Sequence, residues 1–111
     1  NRSKTMAKYF MVYHGGKKPE SQDDMMKIME DWNKWMSDMG DALVDPGCGV
    51  GMSKTVSPGG EVADNGGSNP AFGYSVISAD DMDGAIAKIK DHPFLKHFGG
   101  SIEIAQAMEH K

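Results

Sequence analysis

Most of what lets a chain advertise its chemistry is missing here. There is a single cysteine, Cys48, in 111 residues. It can form no internal disulfide, which points to a reducing compartment and an expected cytoplasmic location. No stretch approaches the roughly 20 apolar residues needed to span a bilayer, and no apolar segment behind a charged start marks a secretory signal. The net charge is −4, and Lys17, Lys18, Lys54, Lys88, Lys90 and Lys96 are scattered. The basic stripe that nucleic-acid phosphates require is lacking. His-Glu-x-x-His, Cys-x-x-Cys and the acidic EF-hand loop are all absent, so neither a metal nor a cofactor is expected. Gly47 to Gly51 invites a phosphate-loop reading, but Cys48 and Ser53 stand where that pattern needs glycine. A dinucleotide fingerprint fails at Met52. Cys48 has no base or positive charge beside it in sequence to hold a thiolate, which leaves a bland surface thiol.

What is present is a well-patterned small domain. The hydrophobic fraction of 39% and charged fraction of 25% are those of a globular protein. One domain over residues 6–111 is expected, with the polar residues 1–5 ahead of Met6 as a tail. Ala7 to His14 alternates as a strand, with Tyr9, Met11 and Tyr13 on one face and Phe10, Val12 and His14 on the other. Both faces are apolar enough to need cover. Ser21 and Asp24 form a helix start. Met25, Ile28, Met29, Trp32, Trp35, Met36 and Met39 recur at three and four residues as a helical stripe, and Gly40 sits at a left-handed cap. That stripe is ordinary core, although methionine also suits an irregular ligand cavity.

Ala42-Leu43-Val44 begins a short strand, Pro46 to Gly51 reads as a loop, and Ser53 to Val56 resumes the strand. Glu61 to Ala63 pairs back at an edge, and Asp64 to Pro70 is a second loop. Ala71 to Ser78 is a firmer strand, with Phe72, Tyr74 and Val76 sharing a face. Ser78, with Asp81 three residues on, caps a second helix striped by Met82, Ala85, Ile86 and Ile89, which Pro93 ends. Ser101 to Ala107 closes as a strand. The order predicts an α+β fold, a ferredoxin-like βαββαβ subunit with a hairpin elaboration. Its two helices cover one sheet face, and an identical chain covers the other in a two-fold homodimer.

These residues resemble the YCII-related family. The likeness is carried by Lys8-Tyr9-Phe10-Met11-Val12-Tyr13, the Trp-bearing helix ending in Gly40, and Gly51-Met52-Ser53-Lys54-Thr55-Val56. It continues through Asn69-Pro70-Ala71-Phe72-Gly73-Tyr74-Ser75-Val76-Ile77, Ala79-Asp80-Asp81-Met82 and Gly99-Gly100-Ser101-Ile102-Glu103-Ile104. The resemblance implies a dimeric α+β barrel, a superfamily that includes isomerases and oxygenases. Two family features are absent. The Asp-Gly-Pro-Phe motif is replaced by Asp64-Asn65-Gly66-Gly67-Ser68-Asn69-Pro70. Of the His-Asp dyad, the helix position falls near Met29 and the second is His92, ahead of Pro93-Phe94, with Asp91 adjacent.

Two functional readings follow. In the first, the dimer encloses a small-molecule pocket with acid-base chemistry from His14, or from His92 with Asp91. His97, Asp45, Glu103, Trp32 and Tyr74 then serve as binding residues. In the second, the chain is a non-catalytic interaction or accessory module, and His92 and His97 belong to a solvated loop. Whether it is an enzyme is left open. Convergence of the polar candidates on one concavity separates the two.

Overall fold

The computed structural model describes residues 6–17, 21–64 and 70–108. The expected tail, Lys18 and Pro19 of the first turn, and residues 65–69 of the loop before Pro70 lie outside the described residues. In chain order the strands are β1 (Ala7–His14), β2 (Leu43–Gly49), β3 (Lys54–Val56), β4 (Val62–Asp64), β5 (Ala71–Ala79) and β6 (Ser101–Gln106). The helix α1 (Gln22–Met39) follows β1, while α2 (Met82–Ile89) and α3 (Pro93–His97) lie between β5 and β6. The fold is α+β. Four strands form one antiparallel sheet in the order β2-β5-β1-β6, and β3 pairs with β4 in a separate hairpin.

β1 lies in the middle, which its two apolar faces require. On its helix-covered face Tyr9 sits opposite Ile77, and Met11 opposite Ser75 and Ile104. Ile28 of α1, Ala85 and Ile89 of α2 and Phe94 of α3 are buried on this side. Met11, Ile77 and Phe94 are wholly enclosed, each worth about 1.5–3 kcal/mol relative to exposure. Trp35 Nε1 donates to the Lys88 carbonyl at 3.1 Å, fastening α1 to α2.

The α1 caps follow the sequence. Ser21 Oγ accepts the Asp24 N–H at 3.2 Å, and Gly40, with φ 52°, returns its N–H to the Met36 carbonyl. The second helix starts later than expected. β5 runs through Ser78 to Ala79, and Asp81 caps α2 by accepting the Gly84 N–H at 2.8 Å. Pro93 does more than stop α2. It opens α3 from the first helical position, where its missing N–H costs nothing.

β2 is the main correction. The segment Pro46 to Gly49, expected as loop, continues the strand, with Cys48 opposite Tyr74 and Gly49 opposite Gly73. Its register slips between Leu43 and Asp45 and again between Asp45 and Cys48. An edge strand tolerates Pro46 there, and the bulge needs Gly47. That residue has φ 67°, and an added Cβ would lie 1.8 Å from the Tyr74 carbonyl oxygen. A glycine-rich string that reads as loop is therefore a bulged strand. β3 does not resume this strand; it belongs to the hairpin, where Lys54 Nζ meets Asp64 Oδ1 at 2.6 Å.

The opposite sheet face carries Phe10, Val12, Val76 and the ring of Tyr74, which stacks on Phe10 at 5.7 Å. Phe72 parts from this row. The β1–β5 register slips between Tyr13 and His14, and Phe72 packs against Phe94 and Phe98 instead. Phe10 and Val44 remain 42% and 45% exposed. The molecule is 18 Å through its shortest extent, about one sheet and one helix layer.

Gly47→Ala is expected to lower stability by roughly 2 kcal/mol or more, from strained backbone and the Tyr74 clash. Gly51→Ala, with nothing within 4 Å of its added Cβ, stays within about 0.5 kcal/mol of the parent. Urea unfolding of the two variants makes the comparison.

Candidate functional site

The helix α1 and the bulged β2 do not close on one another. Between them lies a cavity of about 500 Å³. Met25, Ile28, Met29, Trp32 and Met36 of α1 form one wall, and Pro46 to Gly49 of β2 form the other. Tyr13 and Gly73 supply the sheet floor, and Phe72 and Phe98 close one end. Among the described residues no charged side chain lines it; Asn33, Cys48, Tyr13, Tyr74 and Trp32 are the lining residues with polar side-chain atoms. Cys48 is exposed and free, as expected from sequence, but its place at this cavity was not foreseen. A wider cleft of about 1020 Å³ separates the β3–β4 hairpin from the start of β5. The hairpin and β5 belong to different sheets, although Gly49 and Val50 at the cleft's edge are bonded to β5.

Behind the floor lies a buried polar chain. The Phe94 N–H donates to His92 Nδ1 at 2.9 Å, so the ring proton of neutral His92 sits on Nε2. That nitrogen donates to the Tyr13 hydroxyl at 3.2 Å. At the other end, Ser75 Oγ donates to the Pro46 carbonyl at 2.8 Å. Tyr13, 2.7 Å from Ser75 Oγ, must therefore donate to it. Each proton has one direction to go, and each buried group is satisfied.

Aromatic rings enclose the chain. His92 meets Trp35 at 4.4 Å, Trp32 at 4.7 Å and Tyr13 at 5.2 Å between ring centroids. Burial disfavours the charged forms. It pushes the His92 pKa from 6.5 down to about 4. It pushes Tyr13 up to about 12, against the opposing effect of its Ser75 hydrogen bond. Near neutral pH both are uncharged hydrogen-bonding groups.

The sequence candidates scatter. His14 Nε2 lies 2.9 Å from Glu103 Oε1 on the uncovered sheet face. His97 Nε2 lies 2.8 Å from Asp31 Oδ2, joining α3 to α1. His92, placed by sequence in a solvated loop or a catalytic pair with Asp91, is wholly buried, caps α3 and has both ring nitrogens occupied; Asp91 is exposed. Asp45 turns back to accept the Gly47 N–H at 2.8 Å. Trp32 and Tyr74 border the cavity, although the Tyr74 ring stacks on Phe10 on the far face. Among the described residues, no three His, Cys, Asp or Glu side chains gather as a metal set. Nor is any described helix long and apolar enough to cross a membrane. Sequence reasoning missed Tyr13 and Ser75, whose partners lie 29 to 79 residues away.

No protein-family model matches the chain, and no curated protein matches it.

Burial of neutral His92 sets a pH dependence. Above pH 6.5 folded and unfolded chains both hold it neutral. As pH falls towards 4 the unfolded chain binds a proton that the fold refuses, so stability is lost across that window. The loss reaches on the order of 2 kcal/mol by about pH 4.5. Asn in place of His92 offers the Phe94 N–H a side-chain oxygen where Nδ1 now accepts it, and does not titrate. Urea unfolding at pH 7 and pH 4.5 should show His92→Asn losing less stability than the parent by about that amount.

Proposed function

We propose that the chain binds a small, uncharged, largely apolar molecule, of aromatic-ring size, in the cavity between α1 and β2. The observation that carries this reading is the cavity itself: about 500 Å³, largely apolar, and without a charged side chain among the described residues of its lining. That volume is in the range of small-molecule sites, roughly 300–1,000 Å³. Methionines at Met25, Met29 and Met36 give one wall a deformable surface. A charged ligand entering it would lose its water without gaining a partner.

Binding without turnover is the version the geometry favours. His14, His97, Asp45, Asp91 and Glu103 do not line the cavity, and neutral His92 is committed to a cap and a buried hydrogen bond. The acid-base role weighed for His14, or for His92 with Asp91, draws no support from this arrangement. A non-catalytic protein-interaction module is favoured only by that scatter, and it leaves the cavity unexplained.

The functional unit in this reading is a homodimer of ferredoxin-like subunits, a YCII-like α+β barrel. The strand order β2-β5-β1-β6 supports the subunit. The half-open row of Phe10, Val44 and Tyr74 supports the pairing. Each large side chain left in water forgoes about 1.5–3 kcal/mol, and a second copy supplies a self-complementary cover.

N-phenyl-1-naphthylamine and 1-anilinonaphthalene-8-sulfonate share one ring skeleton and differ by a sulfonate. Titration followed by dye fluorescence should show the neutral dye saturating near one per chain. The anionic dye should bind at least roughly tenfold more weakly, the effect of about 1.4 kcal/mol of uncompensated desolvation. Met36→Glu should abolish neutral-dye binding. Equal binding of both dyes, or indifference to Met36→Glu, would refute the site.

A further inference from the structure

The cavity wall made by β2 is an unusual piece of strand. It is an edge, it is interrupted twice in register, and it contains Pro46, which donates no ladder hydrogen bond. The ladder to β5 holds its far end, with Cys48 opposite Tyr74, Gly49 opposite Gly73 and the Val50 N–H donating to the Phe72 carbonyl at 3.0 Å, but it is broken around Pro46. Two side-chain contacts bridge that break. The Asp45 carboxylate accepts the Gly47 N–H, a contact within the bulge itself. The other comes from the core, where Ser75 Oγ donates to the Pro46 carbonyl at 2.8 Å.

Ser75 is 1% exposed, so no water competes for that bond. The serine proton goes to the Pro46 carbonyl, and the Tyr13 hydroxyl donates to the serine oxygen from the other side. Tyr13 in turn is oriented by His92 Nε2–H. His92 is fixed by the Phe94 N–H at the start of α3. The chain therefore runs from the first turn of α3, across β1 and β5, to the bulge on β2.

We infer that Ser75, backed by Tyr13 and His92, is the positioning residue that sets the β2 wall, and so decides the shape of ligand the cavity accepts. The inference rests on the cavity as the binding site. Ser75 and His92 lie outside the cavity lining and act through the wall, while Tyr13 also lends its ring to the floor, a ring that Tyr13→Phe keeps; removing the Ser75 link leaves the apolar lining intact but lets Pro46 to Gly49 move. The chain also explains why polar groups occupy the middle of an otherwise greasy core, where an apolar residue of similar shape would give equal or better packing.

The test is amide hydrogen exchange on the full chain with Ser75→Ala and Tyr13→Phe, with the affinity for N-phenyl-1-naphthylamine measured alongside. Ser75→Ala should speed exchange of amides 47–50 by roughly fivefold, the effect of one hydrogen bond of ordinary net strength. The β1–β6 ladder should be unchanged. Dye affinity should fall by a similar factor. Tyr13→Phe, which leaves the Ser75–Pro46 bond but removes its backing, should give the same local pattern with a smaller amplitude. No change at 47–50, or an equal rise across all strands, overturns the inference, the second outcome marking simple loss of stability. Should Ser75→Ala fail to fold, Tyr13→Phe alone decides by the same local criterion. If the parent chain takes up no dye, the binding reading fails, while the exchange comparison still decides whether Ser75 positions the wall.

Discussion

A central strand with large apolar side chains on both faces cannot be satisfied by helices on one. That constraint governs the whole molecule. Tyr9, Met11 and Tyr13 look towards α1, α2 and α3 and build the core. Phe10, Val12 and His14 look the other way, into a face that no described element covers. The helices are placed where β1 and β5 need cover, and the slab is one helix layer deep. Whatever the protein does must be compatible with a half-exposed apolar face that no described element covers, the face that the proposed second copy would take.

On the covered side the packing is uneven, and the unevenness is informative. α2 is short and presents small or compact residues, Ala85 and Ile89, so it sits tightly on the sheet. α1 presents indoles and thioethers, and its stretch from Met25 to Met36 stands away from the bulged edge strand, leaving the cavity. Filling that space with one more large side chain would stabilise the domain; keeping it open forgoes that burial. A buried hydroxyl-imidazole chain beside the same space tells a consistent story. Buried polar groups are costly unless fully satisfied, and here each link is. Such a chain fixes geometry more than it adds stability.

Much of this fold was legible in the sequence because its signals are local. The three-and-four spacing from Met25 to Met39, the Ser21 cap and Gly40 define α1 without reference to the rest of the chain. Alternation defines β1 and β5. What was not legible depends on partners far away. Pro46-Gly47-Cys48-Gly49 has every mark of a loop, and only the approach of the Tyr74 carbonyl makes glycine the residue of a strand bulge. The five residues of α3 are too few to show a period, and Pro93 reads as an end when it is a beginning. His92 looked like a titratable loop residue because nothing beside it in sequence reveals Trp32, Trp35 and Tyr13 closing over it. The cavity had one sequence hint, the surplus of methionine on α1, which packing alone could equally have used.

The most direct test of the two-faced sheet is the mass of the folded chain in solution. Sedimentation equilibrium over a range of micromolar concentrations should give twice the 12.0 kDa chain mass, with the Phe10 and Tyr74 face withdrawn from water. A mass of one chain at every concentration, with the protein fully folded, would contradict the account: the sheet would then tolerate a bare apolar face, and no second copy would be required.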